Sequence, residues 1–421
     1  MISELRKRFN QQFKVEKYVE LLALLDRGCE TKVEFRVSET PIFVPASLLL
    51  RMAKEGEALA QNLIGDAAYM ALARQAIPPG YKVANETAHP NFLTADFALV
   101  RSPHGELIPK LVEIQAFPSV FGYQATLAAA YRQVFGLPDS MGTFLSGLTE
   151  ESYWDLLRGT ILGGHDPENV ILTEVDPQHQ KTLPDFNITA RRLGIAVVDI
   201  TSLQVIQNKL YYKNSAGRLV PVHRIYNRAI ADELIARRIE LPFDLTGPMD
   251  VEWAGHPNWY FLISKFSIPW LSRSTTNHLV VPPAVLLSDF LDGSGRAELA
   301  AAGVPMAQNN GLEAVYSDLL LKPLFSFAGK GIQFDPTQAQ LEAIPVEQRS
   351  EYLLQQRMSF VPNIETPHGL TQAEIRILYV WPDRGNLTPA LSLVRLGRGK
   401  MMGVDHNKNQ QWVGASAAFF Q

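Results

Sequence analysis

Apolar residues recur along the chain at two spacings, and the spacing separates helical from extended segments. In the first part of the chain they fall three or four positions apart, which predicts helices with one core-facing side; the positions are Phe9, Phe13, Tyr18, Leu21, Leu22 and Leu25. Residues 46–68 are predicted to be helical as well, and 33–37 and 41–45 are short strand candidates. Residues 1–85 are therefore predicted to form a mostly helical segment with a packing or docking role.

Alternating apolar and polar residues in 96–102 and 107–119 predict two strands joined by a Pro-His-Gly turn. Glu113 and Gln115 lie two positions apart, so their side chains share one face of the strand, and hairpin pairing would bring Asp96 beside them. Two carboxylates and an amide oxygen on a rigid sheet are suitable ligands for a hard cation such as Mg²⁺. The alternative is a polar sheet face on which Glu113 is only solvated.

The region 151–230 follows a strand–helix–strand pattern. Its predicted elements are strands at 170–175, 195–200 and 222–228, a hairpin at 210–220 and a helix from Pro184 to Leu193. This alternation implies a parallel sheet. Because no G-x-G-x-x-G motif follows the first strand, a dinucleotide-binding fold is not supported.

One lysine stands in a very apolar stretch of the next region, 231–314, which is predicted to be helical with loops. The stretch covers 256–271 and surrounds Lys265. One explanation is an ordinary lysine that extends its ammonium group to solvent along an apolar surface. A strand interrupted by two prolines is predicted at 279–289.

A lysine and two glycines mark the stretch 320–332. An apolar strand leads into Lys322, a loop with Gly329 and Gly331 follows, and a strand-like pattern resumes at Ile332. Glycines let backbone N–H groups approach phosphate oxygens and a lysine supplies a positive charge, so such a loop can close over a polyphosphate. The loop is not a Walker A motif, because G-x-x-x-x-G-K-[ST] is absent. An ordinary hairpin is the alternative.

Further strands are predicted after this hairpin, at 351–358, 373–381 and 391–397. The first carries Gln355 and Gln356 near its end. The second places Glu374 and Arg376 on one face, because they lie two positions apart.

Composition limits the classes of function. The chain has 421 residues, of which 46% are hydrophobic and 19% charged, which is typical of a soluble protein of two or three domains. A net charge of −4 argues against a general nucleic-acid binder. Cys29 is the single cysteine, so an internal disulfide and a cysteine-based metal site are excluded. The polar N-terminus does not fit a secretory signal and no apolar run has the length of a membrane span, so a cytoplasmic location is expected.

The order of these motifs resembles the ATP-grasp superfamily, and within it the circularly permuted type typified by the glutathionylspermidine synthetase domain. Ordinary ATP-grasp proteins carry a metal-binding E-x-N strand near the end, whereas here the matching Glu113 and Gln115 come early and follow Asp96. The later segments ISKF, VPPAVLL, LLLKP, GKGI, LLQQ and EIRI match the nucleotide-binding order. The resemblance covers residues 90–421, with two departures: glutamine at 115 where asparagine is usual, and Phe-Ala at 327–328 in a loop that is often more polar.

This resemblance implies an ATP-grasp-like, circularly permuted fold of the α+β or α/β class, with a nucleotide between two subdomains. The region 86–150 would supply the strand hairpin with the metal ligands, and 231–421 would supply the nucleotide-binding subdomains. The region 151–230 resembles the pre-grasp α/β unit, and the helical segment 1–85 lies outside the match.

Site residues follow from the same resemblance. Those expected at the nucleotide, with the glutamines at the adenine and the 326–331 loop over the phosphates, are Lys265, Lys322, Ser326, Gly329, Lys330, Gly331, Gln355 and Gln356. Asp96, Glu113 and Gln115 are expected to hold one or two Mg²⁺ ions. Arg376 and Arg228 are expected to face the transferred phosphate or an acceptor carboxylate.

The implied activity is an ATP-dependent carboxylate–amine ligase, in which a carboxylate is phosphorylated and an amine then displaces the phosphate. Such chemistry requires charge neutralisation, in-line geometry and exclusion of water, and it needs no protein nucleophile. The expected partners are a small-molecule carboxylate and an amine, without nucleic acid or membrane, and a homodimer is left open. Two alternatives remain: a non-catalytic or nucleotide-binding-only protein of this fold, and a phosphotransferase that stops at the phosphorylated product. The sequence does not identify the acceptor.

Overall fold

The structure is a computed structural model that describes residues 1–273, 280–307, 311–326, 329–403, 407 and 409–421. Within these residues the α-helices are α1 (Ser3–Gln12), α2 (Val15–Cys29), α3 (Ala46–Gly65), α4 (Ala67–Gln75), α5 (Phe121–Phe135), α6 (Glu150–Leu162), α7 (Leu183–Leu193), α8 (Ala231–Arg237), α9 (Trp259–Leu262), α10 (Ser267–Arg273), α11 (Leu287–Asp292), α12 (Ser294–Ala301) and α13 (Gln338–Glu342).

The strands are β1 (Ile42–Val44), β2 (Phe92–Arg101), β3 (Leu107–Gln115), β4 (Val170–Glu174), β5 (Ala196–Asp199), β6 (Gln204–Ile206), β7 (Lys209–Lys213), β8 (Leu219–Val222), β9 (Arg224–Asn227), β10 (Glu252–Ala254), β11 (Ala284–Leu286), β12 (Leu319–Pro323), β13 (Gln333–Phe334), β14 (Tyr352–Gln356), β15 (Ile364–Thr366), β16 (Gly369–Val380), β17 (Thr388–Gly397) and β18 (Gly414–Phe420).

The largest sheet joins strands from both ends of the chain. Its strand order is β1-β18-β17-β16-β2-β3, and β15 pairs with β16. Because β2 pairs antiparallel with both β3 and β16, the hairpin that carries Asp96 and Glu113 lies in the same sheet as Arg376. The motif order predicted that these segments, which are far apart in sequence, share one sheet, and the pairing of β2 with β16 confirms this prediction.

One face of this sheet is covered by α3. The apolar side of the helix, which includes Leu49, packs with Ile377 in one continuous core. The helix approaches β16 so closely that a Cβ at Gly56 would lie 2.2 Å from the Tyr379 hydroxyl oxygen. That hydroxyl donates a hydrogen bond to the Ala53 carbonyl oxygen at 2.9 Å. Glycine at this helix position, which costs about 1 kcal/mol relative to alanine in an unconstrained helix, therefore permits the close packing.

The opposite face is covered in part by α2 and α5. Leu21 of α2 and Leu127 of α5 share a second core with Leu378 and Val380 of β16. Further along the same strand this face becomes charged at Arg376, two residues before Leu378. The charged part of this face is the region described in the next subsection.

The predicted α/β unit forms a parallel sheet with the order β10-β9-β4-β5. Helix α7 connects β4 to β5 and ends at Gly194, whose φ of 75° lies in the left-handed region that glycine adopts without strain. The connection from β5 to β9 contains the predicted hairpin as β7 and β8, within a separate three-stranded antiparallel sheet. Strand β10 was not predicted from the sequence, which favoured helices and loops in that region.

The last sheet is antiparallel with the order β11-β14-β12-β13. It contains the predicted glycine hairpin as β12 and β13, with Leu320 opposite Phe334. Lys322 lies on β12 and Gln355 on the neighbouring β14. This sheet therefore carries three of the predicted nucleotide-binding residues, Lys322, Gln355 and Gln356.

The N-terminal segment contributes a strand to the largest sheet as well as four helices. β1 pairs parallel with β18 near the C-terminus. Of the other strand candidate, 33–37, Val37 makes an isolated bridge to Ala415. The domain boundaries expected from the sequence stay predictions. Across the part of the chain that the structure describes, no helix combines the length and apolar character that crossing a membrane requires.

Candidate functional site

Three neighbouring strands place one charged residue each in a single row across the largest sheet. Arg376 of β16 pairs with Asp96 of β2, and Asp96 pairs with Glu113 of β3. Directly paired residues project from the same face of an antiparallel sheet, so these three side chains lie next to one another. The register of β2 and β3 shifts immediately after Asp96.

Two arginines hold the Asp96 carboxylate. Arg376 donates from Nε to Asp96 Oδ1 at 2.5 Å and from Nη2 to Oδ2 at 2.7 Å, which is a bidentate ion pair. Arg395 of β17 donates to Asp96 Oδ2 at 3.2 Å. Burial alone would raise the pKa of Asp96, whose exposed fraction is 1%, but the charges of Arg376 and Arg395 outweigh it and lower the pKa.

Two lysines approach the same row from outside the sheet. Lys265, between α9 and α10, places Nζ 3.6 Å from Glu113 Oε2 and donates to the Ser326 carbonyl oxygen. Its exposed fraction is 3%, so it does not extend its ammonium group to solvent as an ordinary surface lysine would. The structure therefore brings Lys265 and Glu113 together, as the resemblance implied.

Lys322 is the second lysine. Its Nζ donates to Gln355 Oε1 at 2.6 Å and to the Val112 carbonyl oxygen at 3.3 Å, which links β12 to β3. Burial lowers the pKa of Lys322 to about 8; the charge of Lys265 lowers it further, whereas Glu113 opposes the shift. A buried ammonium group whose pKa lies close to neutral pH favours binding of an anion. A bound phosphate would replace the favourable interactions with water that burial has removed.

Sequence reasoning did not assign a role to Glu374 or Arg395. Arg395 Nη1 donates to Glu374 Oε1 at 2.6 Å. Burial raises the pKa of Glu374 to about 7, and Arg395 opposes this shift only in part. The signal for Glu374 was its two-residue spacing from Arg376. Arg395 lies opposite Glu374 on β17, a pairing that the sequence does not reveal.

These residues form what we call the charged cluster: Asp96, Glu113, Lys265, Lys322, Glu374, Arg376 and Arg395. The cluster holds four cationic side chains and three carboxylates, one of which has a pKa near neutrality. Its net charge is therefore positive at neutral pH. Such a cluster in a water-poor environment favours an anionic ligand.

A cavity of about 540 Å³ is lined by neighbours in sequence of the residues that Lys322 contacts, although no member of the charged cluster lines it. It is lined by Val100, Arg101, Lys110 and Pro282, and by the segment 356–362 that follows β14. Lys110 lies two residues before Val112, which accepts a hydrogen bond from Lys322. Volume and position are suitable for a base and ribose next to bound phosphates.

The predicted adenine residues make other contacts in the structure. The Gln355 backbone pairs with Ala284 and Leu320 inside the small sheet, and the Gln356 N–H donates to the Pro283 carbonyl oxygen at 2.8 Å. Their backbone groups are therefore used in strand pairing. The Gln355 amide nitrogen, in contrast, is buried without a hydrogen-bond partner among the described residues.

The predicted phosphate loop is described in part, because residues 327–328 lie outside the described residues. Gly329 and Gly331 have φ angles of 74° and 79°, which only glycine adopts without strain. A Cβ would lie 2.4 Å from Met401 Cε at Gly329 and 2.7 Å from Pro323 Cγ at Gly331. Ser326 contacts Lys265, whereas Lys330 is exposed. The loop conformation itself therefore explains why glycine occupies both positions.

Arg228 makes its contacts away from the charged cluster. It follows β9 in the parallel sheet, is buried, and forms an ion pair with Asp185 of α7. Asp185 also accepts from the Tyr123 backbone N–H at 2.9 Å, at the start of α5. The described contacts thus join Arg228 to α5 and α7, and they do not group it with Arg376 as the sequence led us to expect. Its role toward an acceptor stays a prediction.

The expected metal ligands fit a magnesium ion only in part. Both oxygens of Asp96 accept from arginines, which leaves this carboxylate no role as a ligand in the observed arrangement. Glu113 and Gln115 remain from the expected set. Within the described portion of the chain, no group of three or more Asp, Glu, His or Cys side chains is arranged to hold a metal ion.

Comparison with known proteins adds a fold assignment. No family model and no curated protein matches the chain. A glutathione synthetase-like effector from Globodera pallida, solved in its apo form, is similar over 97% of this chain and 98% of that chain, with 10% sequence identity and a TM-score of 0.57. A structure described as a gamma-glutamylcysteine synthetase from Methylobacillus flagellatus KT covers 90% and 89% at 13% identity, but its TM-score of 0.35 is too low to support an argument.

The first similarity concerns the fold alone. The chain has a mixed α/β structure, and its fold is similar to that of this solved structure over almost the whole length of both chains. The circularly permuted connection of the motifs stays a prediction.

Proposed function

We propose that this protein is an ATP-dependent ligase that joins a small-molecule carboxylate to an amine. The observation that carries the proposal is the convergence of four cationic side chains from two sheets and a connecting loop; a cavity of about 540 Å³ is lined by residues next in sequence to their partners. Buried cations without an equal number of ionised carboxylates require an anion, and a polyphosphate satisfies several of them at once. The similarity of the fold to that of a glutathione synthetase-like effector supports this choice among anions.

The proposed chemistry has two steps. In the first, a carboxylate oxygen of the substrate attacks the γ-phosphorus of ATP, the bond to the β-phosphate oxygen breaks, and ADP leaves. In the second, the amine nitrogen attacks the carbonyl carbon of the acylphosphate, inorganic phosphate leaves, and the nitrogen loses a proton to give the amide. No side chain forms a covalent intermediate, so the protein contributes binding, orientation and charge stabilisation.

The residues of the chain divide these tasks. Lys265 and Lys322 neutralise the phosphates of ATP, and their burial excludes competing water. Arg376 and Arg395 lie on the sheet face next to them, where negative charge develops on the transferred phosphoryl group. The loop that contains Gly329 covers the phosphates. The base and ribose occupy the cavity of about 540 Å³.

The test is ADP release measured in the presence of ATP with panels of carboxylates and amines. For a ligase, ADP release requires both a carboxylate and an amine, and the product contains an amide that mass spectrometry detects. ADP release that needs a carboxylate or another acceptor but no amine would instead identify a phosphotransferase. ATP binding without any ADP release across the panels would contradict the ligase proposal.

A second candidate, a protein that binds nucleotide without turning it over, is favoured by one specific observation. The ion pairs of Asp96 with Arg376 and Arg395 take up a carboxylate that the resemblance assigned to metal binding. Phosphoryl transfer in most nucleotide-dependent enzymes relies on a metal ion to neutralise the developing charge. A saturable ATP titration together with no turnover would select this candidate.

A further inference from the structure

The Arg376 guanidinium lies where a cation shared by β2 and β3 would have to lie. It is bidentate to Asp96, with distances of 2.5 and 2.7 Å, and its Nη2 is 3.6 Å from Glu113 Oε1. The strand pairing of β16, β2 and β3 produces this arrangement. Arg376 is directly opposite Asp96, and neighbouring strands are about 4.8 Å apart. A positive charge is therefore built into the sheet between the two carboxylates.

The contacts of Asp96 leave no room for a hydrated ion. A carboxylate offers about four acceptor positions, and guanidinium nitrogens of Arg376 and Arg395 already take three of them. Mg²⁺ in proteins usually keeps several water molecules, which requires open space around its ligands. Asp96 is 1% exposed, so that space is missing on its side of the cluster.

Arg376 still has donors for a ligand. A guanidinium carries five N–H groups. Its described hydrogen bonds are the two to Asp96 and one from Nη1 to Ser119 Oγ at 3.3 Å. Two N–H groups remain, one on each terminal nitrogen, and a planar guanidinium matches the geometry of phosphate oxygens.

We propose that Arg376 takes the place of a divalent cation in the charged cluster, so that phosphate groups bind to the protein without Mg²⁺. Asp96 and Glu113 orient the guanidinium and keep it in the cleft, and Arg395 adds a second positive charge beside it. Asp96 then acts as a positioning residue for Arg376 rather than as a metal ligand. The choice of ATP as the phosphate ligand rests on the proposed function, whereas the exclusion of metal from the cluster does not.

The first experiment measures ATP affinity of the full chain by titration calorimetry in excess EDTA and in millimolar Mg²⁺. For the wild-type protein we expect the two dissociation constants to differ by less than about threefold. In Arg376→Ala the carboxylates lose their resident cation, so we expect weaker binding in EDTA and a gain of at least about tenfold on adding Mg²⁺. Arg376→Gln, which keeps a hydrogen-bond donor toward Asp96, serves as a second variant in case the alanine variant does not fold. Wild-type binding that strengthens tenfold or more with Mg²⁺ would overturn the proposal.

A second experiment separates this inference from the proposed function, because it uses no nucleotide. Mn²⁺ is titrated into the protein and the free ion is followed by electron paramagnetic resonance. We expect Arg376→Ala to gain a bound Mn²⁺ that the wild type lacks, and the double variant Arg376→Ala, Glu113→Gln to lose it again. A wild-type Mn²⁺ site that Glu113→Gln abolishes would overturn the inference. Absence of ATP binding in both buffers would overturn the proposed function, and the Mn²⁺ titration would then decide the metal question alone.

Discussion

Replacing Lys322 by methionine removes one positive charge from the centre of the cluster and keeps the length of the side chain. Lys322 is 3% exposed, and its Nζ donates to Gln355 Oε1 at 2.6 Å, so it is held in one position. With a pKa of about 8, it is protonated in roughly nine of ten molecules at pH 7. A charge-assisted hydrogen bond to phosphate contributes about 1.5–3 kcal/mol, so Lys322→Met should weaken ATP binding about ten- to a hundredfold at pH 7.

The same residue predicts a pH dependence whose sign follows from proton linkage. Bound phosphate favours the charged form, so the complex binds more protons than the free protein at pH values above about 8. Each complex formed there must take up a proton, and affinity should fall by up to about tenfold between pH 8 and pH 9. Lys322→Met cannot take up this proton, so its affinity should lack that slope.

Titration calorimetry at pH 7, 8 and 9 measures both effects, and Lys209→Met is the matched control. Lys209 has a half-exposed side chain, 3.9 Å from Asp250 Oδ2, on a different sheet. It should leave both the affinity and its pH dependence unchanged. Thermal melting should show that Lys322→Met folds, because methionine removes a buried ammonium group whose depressed pKa reflects an unfavourable environment. A folded Lys322→Met protein that binds ATP as the wild type does would refute the reasoning.

Three further predictions concern the same cleft and its support. Burial raises the pKa of Glu374 to about 7, so the stability of the wild type should fall as pH rises from 5 toward that value. The melting temperature of Glu374→Gln, measured relative to the wild type, should therefore be higher at pH 8 than at pH 5. The same difference in melting temperature at the two pH values would contradict this. Replacing Gly329 and Gly331 by alanine, at φ angles of 74° and 79°, should lower ADP release far more than melting temperature, because the strain of about 1–2 kcal/mol per residue is confined to the loop; an unchanged rate would argue against a covering role. Arg224→Met should cost about 2 kcal/mol in urea denaturation, because Arg224 is buried and holds Glu252 and Asp383 at 2.8 and 2.7 Å; a change below 0.5 kcal/mol would show these contacts to be unimportant.

The sequence predicted those parts of the fold that local pattern controls. The hairpin of β2 and β3, the parallel unit and the glycine hairpin all follow from alternation, turn residues and strand–helix order. The pairing of β1 with β18 did not follow, because a three-residue strand has too little pattern of its own and its partner lies near the far end of the chain. The meeting of Asp96 with Arg376 came only from the order of motifs, since no local feature requires it.

Five members of the charged cluster were expected from the sequence to lie together, whereas Glu374, Arg395 and the ionic contacts were not predicted. Asp96, Glu113, Lys265, Lys322 and Arg376 are all brought together in the structure. Which carboxylate pairs with which cation depends on the row register and on burial, neither of which the sequence displays. For this reason Asp96 was expected to bind metal and instead pairs with arginines.

Arg228, which was expected to face the transferred phosphate or an acceptor carboxylate, shows the same limit. The ion pair of Arg228 with Asp185 depends on how α7 packs against the parallel sheet. The spacing of residues along the chain does not predict this packing. The raised pKa of Glu374 likewise follows from burial beneath neighbouring elements rather than from its neighbours in sequence. Motif order therefore predicted which distant charged residues meet, whereas their protonation and their ionic partners depend on burial and packing in the folded protein.

A crystal structure of the protein with a non-hydrolysable ATP analogue, grown once with EDTA and once with Mg²⁺, tests the central claim most directly. The account predicts phosphate oxygens within about 3 Å of Nζ of both Lys265 and Lys322 and of a terminal nitrogen of Arg376, with the base in the cavity lined by 356–362. The phosphates should occupy the same position in both crystals. A nucleotide bound elsewhere on the chain, or a charged cluster that stays closed and empty of phosphate at saturating analogue, would contradict the assignment of this cleft as the nucleotide site.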